Sequence, residues 1–303
     1  MSRRVAWIAV MSLLLGACAS GGNNVTAPIA VAVPGTPNGI AIRETDGAVF
    51  VTDDKSNGIL LSLDIADSQA AFAPFARIPA AGDRGSLSQI VFGPNAHLLV
   101  ARFGFGKSSA VFDVGTNGQV ALASDTNPER RRLGLVVLDG GTFLSSWFAK
   151  EGDAPAAGGV SMIPRGEPPG SVKERDIVTG LGKPVGLAVL DDTLFISDQA
   201  ANRIVKVDLL EARTASAPIE AGDVFANVDA PDLLAAAPDG TLYTKCGAHA
   251  LCKFSKRGRA TVIAGDFDQP RGVAVDAARK RLVAVDRASS RDQASRVRVW
   301  PIR

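Results

Sequence analysis

Asp232 and Arg271 are the charged residues hardest to explain as turn chemistry. Each follows a proline at the head of an apolar strand, in Pro231-Asp232-Leu233 and Pro270-Arg271-Gly272. The matching place in four other stretches holds Asn38, Ser88, Leu133 and Val185. The next strand closes in turn on Asp53, Arg102, Ser146, Asp198, Lys245 and Asp286. Together these positions carry four carboxylates and three cations, with Leu133 and Val185 as an apolar sector. Gathered at one opening they suit a small polar ligand. Arg271 or Arg102 would pair with an anion, with Asp198 and Lys245 in the same binding set. Asp53, Asp198 and Asp286 also have a plainer reading, as turn aspartates that accept backbone N–H groups.

Other chemistry is sparse. No Gly-x-Ser-x-Gly elbow occurs, and neither His97 nor His249 has a sequence partner for nucleophilic catalysis. Gly104-Phe105-Gly106-Lys107 lacks the eight-residue phosphate-loop pattern. Glu129-Arg130-Arg131-Arg132 reads as a solvated loop face. Cys246 and Cys252 flank His249. In an exported chain a disulfide is the default for such a pair, and closing a loop of about 7 residues stabilises by roughly 2–2.5 kcal/mol. A metal site using His249 is the alternative, but the spacing fits no common zinc pattern.

The elements that must position these residues form a repeat. One unit recurs as a Pro-x-Gly turn, an apolar strand, a tight turn, a second apolar strand ending in a polar residue, and a third strand. It reads from Pro37 to Asp53, Leu87 to Arg102, Arg132 to Ser146, Pro184 to Asp198, Pro231 to Lys245 and Pro270 to Asp286. The first two strands are rich in Val, Ile, Leu and Ala, as inner strands buried on both faces require. Thr45-Asp46-Gly47, Asp139-Gly140-Gly141 and Pro238-Asp239-Gly240 supply tight-hairpin chemistry. Six copies at this spacing predict an all-β fold, a six-bladed β-propeller spanning residues 28–303. The sixth copy ends with Arg296 to Ile302 at the C-terminus and lacks a fourth strand. Pro28 to Val33, just before the first Pro-x-Gly, is the unassigned strand that completes the last blade and closes the ring. The stretches at Ala149 to Gly159 and Arg165 to Gly170 read as loops.

The 303 residues hold 33 Lys+Arg against 31 Asp+Glu and only three cysteines. This near balance gives no reason to expect a nucleic-acid partner. The hydrophobic content of 46% excludes wholesale disorder. The odd cysteine has its own setting. A basic start, Ser2-Arg3-Arg4, precedes an apolar run from Val5 to Leu15 that is too short to span a bilayer. Leu15-Gly16-Ala17-Cys18 resembles the lipobox of bacterial lipoproteins. The resemblance implies a signal peptide over residues 1–17, lipidation of Cys18, and a small polar tether over 18–27. Ala19, in place of the aspartate that retains such proteins at the inner membrane, implies the outer membrane, at its periplasmic face. The expected partners are the membrane, through the lipid, and a small-molecule ligand or an envelope protein.

Pro-x-Gly-x-Ala-Val before Leu194 to Ala200, and Asn202 to Leu209 (NRIVKVDL) after it, resemble the NHL repeat. More broadly the copies are similar to the senescence-marker-protein/gluconolactonase family of six-bladed propellers. That resemblance implies a divalent cation (Ca²⁺, Mg²⁺, Mn²⁺ or Zn²⁺) at the channel, held by a glutamate, asparagines and an aspartate that acts as general base in lactone hydrolysis. Asp232 matches the family's aspartate, as catalytic base and metal ligand, although Leu233 replaces the usual glycine. Asn38 has the type and setting of a ligating asparagine, whereas Val185 stands where the fourth copy typically has one. No glutamate lies beside the first inner strand; Glu44 falls in the turn beyond it. Two readings follow: a binding propeller for a small polar ligand or partner protein, and a metal-dependent lactonase-type hydrolase.

Overall fold

A computed structural model describes residues 28–302, except 68, 81–85, 105–106, 151, 153, 165–173 and 291. The leader, Cys18 and the tether lie outside the described residues. Six antiparallel sheets succeed one another along the chain, each opening with one of the repeat's inner strands. Inner strands run Pro37–Ile42, Leu87–Phe92, Arg131–Val137, Pro184–Leu190, Ala235–Ala236 and Pro270–Asp276. The ring closes as the sequence predicts: Ile29–Val33 pairs antiparallel with Ser295–Pro301, matching Val31 to Val297.

Each interface between neighbouring blades buries one apolar cluster. Blades 1 and 2 share Phe50, Ile59, Ile90 and Val100, and blades 6 and 1 share Val31, Val51, Val283 and Val297. Clusters of the same kind seal the other four interfaces. Full burial of each such side chain is worth about 1.5–3 kcal/mol, so the stack of blades itself is the core. At one end the channel opens into a cavity of about 360 Å³ lined by Ile40, Ile42, Ile90, Leu234 and Val273.

The repeat's glycine makes the blades converge. A Cβ on Gly39 would lie 2.2 Å from the Ser88 carbonyl of the next blade, and one on Gly186 would lie 2.5 Å from the Asp232 carbonyl. Gly134 against Val185 and Gly272 against Asn38 repeat this approach. A hydroxyl on the second strand fixes it. Thr52 Oγ1, Ser146 Oγ and Ser197 Oγ each accept the N–H of their own blade's glycine, at 2.7 Å. Each then donates to the next blade's carbonyl: Ser88 at 3.1 Å, Val185 at 3.1 Å and Asp232 at 2.7 Å. This relay locks the residue at the head of one inner strand to the blade before it.

The structure departs from the sequence reading in four places. Ala157–Ile163 is a strand, the third of blade 3, where a loop through Gly159 was expected. Ile219–Glu220 adds to blade 3 as a fifth, parallel strand, and Val224–Asn227 is the outer strand of blade 4. Leu209–Thr214 is a short α-helix capped by the Asp208 side chain, which accepts the Glu211 N–H. Arg130 and Arg132 do not face solvent. Arg132 is fully buried and pairs with Glu174, while Arg130 stacks 3.8 Å from the Trp147 ring and binds both Glu174 and Asp176. Burial alone would raise the Glu174 carboxyl, but Arg132 beside it outweighs this and holds it down at about 2.

Candidate ligand site at the channel mouth

The relayed carbonyls of Ser88, Val185 and Asp232, with Asn38 against Gly272, stand around the channel at the end opposite the apolar cavity. Asp232 is 5% exposed. Its Oδ1 accepts the Leu233 N–H at 3.0 Å, and its Oδ2 pairs with Arg271 Nη1 at 3.2 Å. Arg271 also donates Nη2 to Gln269 Oε1 at 3.1 Å, and its buried Nε has no hydrogen-bond partner among the described residues. Lys183, just before the fourth inner strand, donates Nζ to Gln199 Oε1 at 2.6 Å. Gln199 in turn donates Nε2 to the Pro231 carbonyl at 3.2 Å, tying that loop to the Asp232 turn. Burial lowers the Lys183 ammonium from its ordinary value; Asp232 opposes this, and Arg271, Lys245 and Arg131 add to it. Side chains from blades 3, 4, 5 and 6 therefore share one electrostatic field.

A second carboxylate–arginine pair adjoins them, its Arg287 N–H donating to the Gln269 carbonyl at 3.0 Å. Asp54 accepts the Leu87 N–H at 2.7 Å and pairs with Arg287 Nη1 at 3.1 Å. Asn38 holds the other side of the same residue, donating Nδ2 to the Leu87 carbonyl at 2.7 Å. Burial pushes the Asp54 carboxyl up to about 6, against the opposing pull of Arg287. Nothing in the sequence singles out Asp54 and Arg287, one residue beyond the strand-ending Asp53 and Asp286, or Lys183.

Several expected site residues take other roles. Asp198 is fully buried beneath the Lys183 loop, accepting the Gly182 and Lys183 N–H groups, with Arg203 at 3.4 Å. Asp53 binds the N–H groups of Thr36, Lys55 and Ser56, and Asp286 that of Asp268. All three are loop-bracing aspartates, and Asp198 is withdrawn from the ligand set for that reason. Arg102 is spent on the Ser108 and Pro79 carbonyls, at 2.7 and 2.6 Å, and packs 4.8 Å from the Phe112 ring. It braces loops. Ser146 is the relay hydroxyl; Trp147, paired with Arg132, takes the place that Asp53 has opposite Pro37. Lys245 and Arg271 are half-buried at the mouth with Asp232. Cys246 and Cys252 form a disulfide, which removes the thiolates a metal would need. His249 instead bonds the Phe267 carbonyl at 2.9 Å.

Comparison with solved structures places this architecture. A gluconolactonase from Xanthomonas campestris is 16% identical, with a TM-score of 0.67 over 88% of this chain and 86% of that one. Regucalcin from Agrobacterium tumefaciens, a calcium-binding protein, is 15% identical, with a TM-score of 0.66 over 92% and 94%. The chain has the fold of the gluconolactonase-like propellers. A virginiamycin B lyase from Staphylococcus aureus is more distant, at 14% identity and a TM-score of 0.54 over 88% and 95%. No family model and no curated protein matches the sequence.

The residues at this mouth do not fit the divalent cation that such neighbours imply. Asp232 has one oxygen on a peptide N–H and the other on a guanidinium. Asn38 spends its amide nitrogen on Leu87, leaving one neutral oxygen. Ca²⁺ takes six to eight oxygens, and the Arg271 guanidinium already paired with Asp232 would repel it. Among the described residues no group of three or more His, Cys, Asp or Glu converges on a metal-sized site.

Proposed function

We propose that the channel mouth binds a small polar organic molecule. The observation that carries this is the convergence of half-buried polar side chains from separate blades on one opening, anchored by the Asp232–Arg271 and Asp54–Arg287 pairs. A concave site with a few fixed polar groups is the usual form of a small-molecule site. The test is a thermal-shift screen of sugars, sugar acids and lactones on the full chain in detergent. The reading predicts stabilisation by members of this set that Asp232→Asn abolishes. Stabilisation that survives this substitution overturns it.

Lactonase-type hydrolysis at the same mouth is the second reading, and likeness to gluconolactonases favours it over binding alone. In it, a carboxylate takes a proton from water, the water oxygen adds to the lactone carbonyl carbon, and the ring C–O bond breaks as its oxygen gains a proton. Asp54, raised to about 6, has a pKa suited to a general base near neutral pH. Asp232 is the alternative base; like Asp54, which Arg287 holds, it is paired with an arginine, Arg271. Acid release from a panel of γ- and δ-lactones above the spontaneous rate, lost in Asp54→Asn and insensitive to chelator, would support hydrolysis. No release by the wild type sinks it.

The site is further proposed to be presented from the outer membrane through lipidated Cys18, on the strength of the basic start, short apolar run and small residues before it. The disulfide suits an exported chain. Cys18→Ser should move the protein from the membrane fraction to the soluble one. Unchanged membrane association counts against the anchor.

A further inference from the structure

The geometry points to an anion site within the mouth: Lys183, Lys245, Arg271 and Arg131 bind the carboxylate or phosphate of a small organic ligand. The inference rests on the small-molecule reading above and names the ligand's chemical class.

Four cations gather here: Arg271, Lys245 and Arg131 each act on the Lys183 ammonium, and Asp232 is the carboxylate that opposes them. They come from four blades. Arg131 opens the inner strand of blade 3, Lys183 precedes that of blade 4, Lys245 closes the second strand of blade 5, and Arg271 heads the inner strand of blade 6. Chain connectivity does not force such residues together; the ring does. Asp198 lies beneath the same loop, but two backbone amides and Arg203 take up its charge. Among the groups that act most on Lys183, cations therefore outnumber carboxylates three to one.

Donors exceed acceptors as well. Lys183 uses one of its three N–H groups on Gln199, and the buried Nε of Arg271 has no partner among the described residues. An unpaired buried donor is costly, and an acceptor oxygen delivered by a ligand removes that cost. The cations are also pre-placed. Gln199 holds the Lys183 head, Asp232 and Gln269 hold Arg271, and the Phe148 ring lies 5.7 Å from the Arg131 guanidinium and 5.8 Å from the Lys183 ammonium. Preorganised charges lose little side-chain freedom on binding and form strong charge-assisted hydrogen bonds. Gln199, Gln269 and Asp232 remain beside them for the hydroxyls of a polar ligand.

The test uses the full chain in detergent, at matched ionic strength, with gluconate, glucose 6-phosphate and sorbitol as probes, and calcium chloride in a separate arm. At about ten times its Kd, a bound anion should raise Tm by about 3–5 °C. Gluconate or glucose 6-phosphate is expected to give this shift, and which of the two acts decides between carboxylate and phosphate. Neutral sorbitol should give less. Lys183→Gln and Lys245→Gln, each leaving the unliganded Tm within about 2 °C of wild type, should at least halve the anion shift; the exposed Lys253→Gln should leave it intact. Sorbitol stabilising as well as gluconate overturns the anion inference while leaving a mouth ligand in place. An anion shift equal in all variants overturns it as non-specific binding. A calcium shift with no response to any organic probe overturns both this inference and the small-molecule reading.

Discussion

Removing the Ser197 hydroxyl tests whether the blade-to-blade relay positions the site. Ser197 is fully buried; its Oγ accepts the Gly186 N–H and donates to the Asp232 carbonyl, both at 2.7 Å. Ser197→Ala deletes one atom yet strands two backbone groups, at the spot where a Gly186 Cβ would lie 2.5 Å from that carbonyl. Each stranded group costs about 1–3 kcal/mol, so the pair should cost about 2–6 kcal/mol. In a domain of this size that lowers Tm by about 5–12 °C. Ser145→Ala is the matched control. Ser145 is equally buried on a second strand, but its hydroxyl makes only a long 3.4 Å contact with the Ser146 carbonyl among the described residues. It should cost less than about 1 kcal/mol. Scanning calorimetry of the three proteins gives the answer, and any mouth ligand should also bind Ser197→Ala more weakly, because Asp232 loses its tether. Equal losses for the two serines would refute the relay.

Further perturbations probe other parts of the structure. Gly39→Ala sets a methyl 2.2 Å from the Ser88 carbonyl, so it should lower Tm by more than an alanine at exposed Gly222, where nothing lies within 4 Å. Deleting residues 28–33 removes the strand that closes blade 6, and should yield an aggregation-prone chain by light scattering. Paired replacement of Cys246 and Cys252 by serine should cost about 2–2.5 kcal/mol in chemical unfolding. Asp54 has a folded-state carboxyl raised to about 6. The folded state therefore holds its proton where the unfolded state has lost it, and the Asp54 contribution to stability falls as pH rises from about 4 to 6, by up to about 3 kcal/mol. Unfolding of wild type and Asp54→Asn across that range should show the slope in the wild type alone.

The fold was legible because its signals are local and repeated. Pro-x-Gly, the apolar strand and the acidic turn are read within one copy, and the orphan strand at Pro28 to Val33 needed only a count of strands. The site was legible in part. Asp232 and Arg271 stood out because a charge at the head of a buried strand has no turn to serve, and the structure pairs them. Asp198 misled because its strand-end position fits both a mouth residue and a loop brace, and only the fold of the Gly182-Lys183 turn decides. Asp54 and Arg287 were invisible because they pair across blades, and sequence spacing carries no information about which blades meet; Lys183 stood outside the strand-end positions, in the loop before its strand. The relay hydroxyls hid for a similar reason: a serine or threonine within a strand looks unremarkable until the neighbouring carbonyl is seen. In blade 3, Trp147 takes the place expected for Ser146: it pairs with Arg132 as Asp53 pairs with Pro37 and Asp198 with Pro184.

The most direct test of the central claim is a crystal structure of the full chain grown with gluconate. Density at the mouth, contacting Lys183, Arg271 or Asp232, is the predicted result. Gluconate at the apolar end of the channel near Ile42 and Val91, or a metal ion liganded by Asp232 with Arg271 displaced, would contradict it.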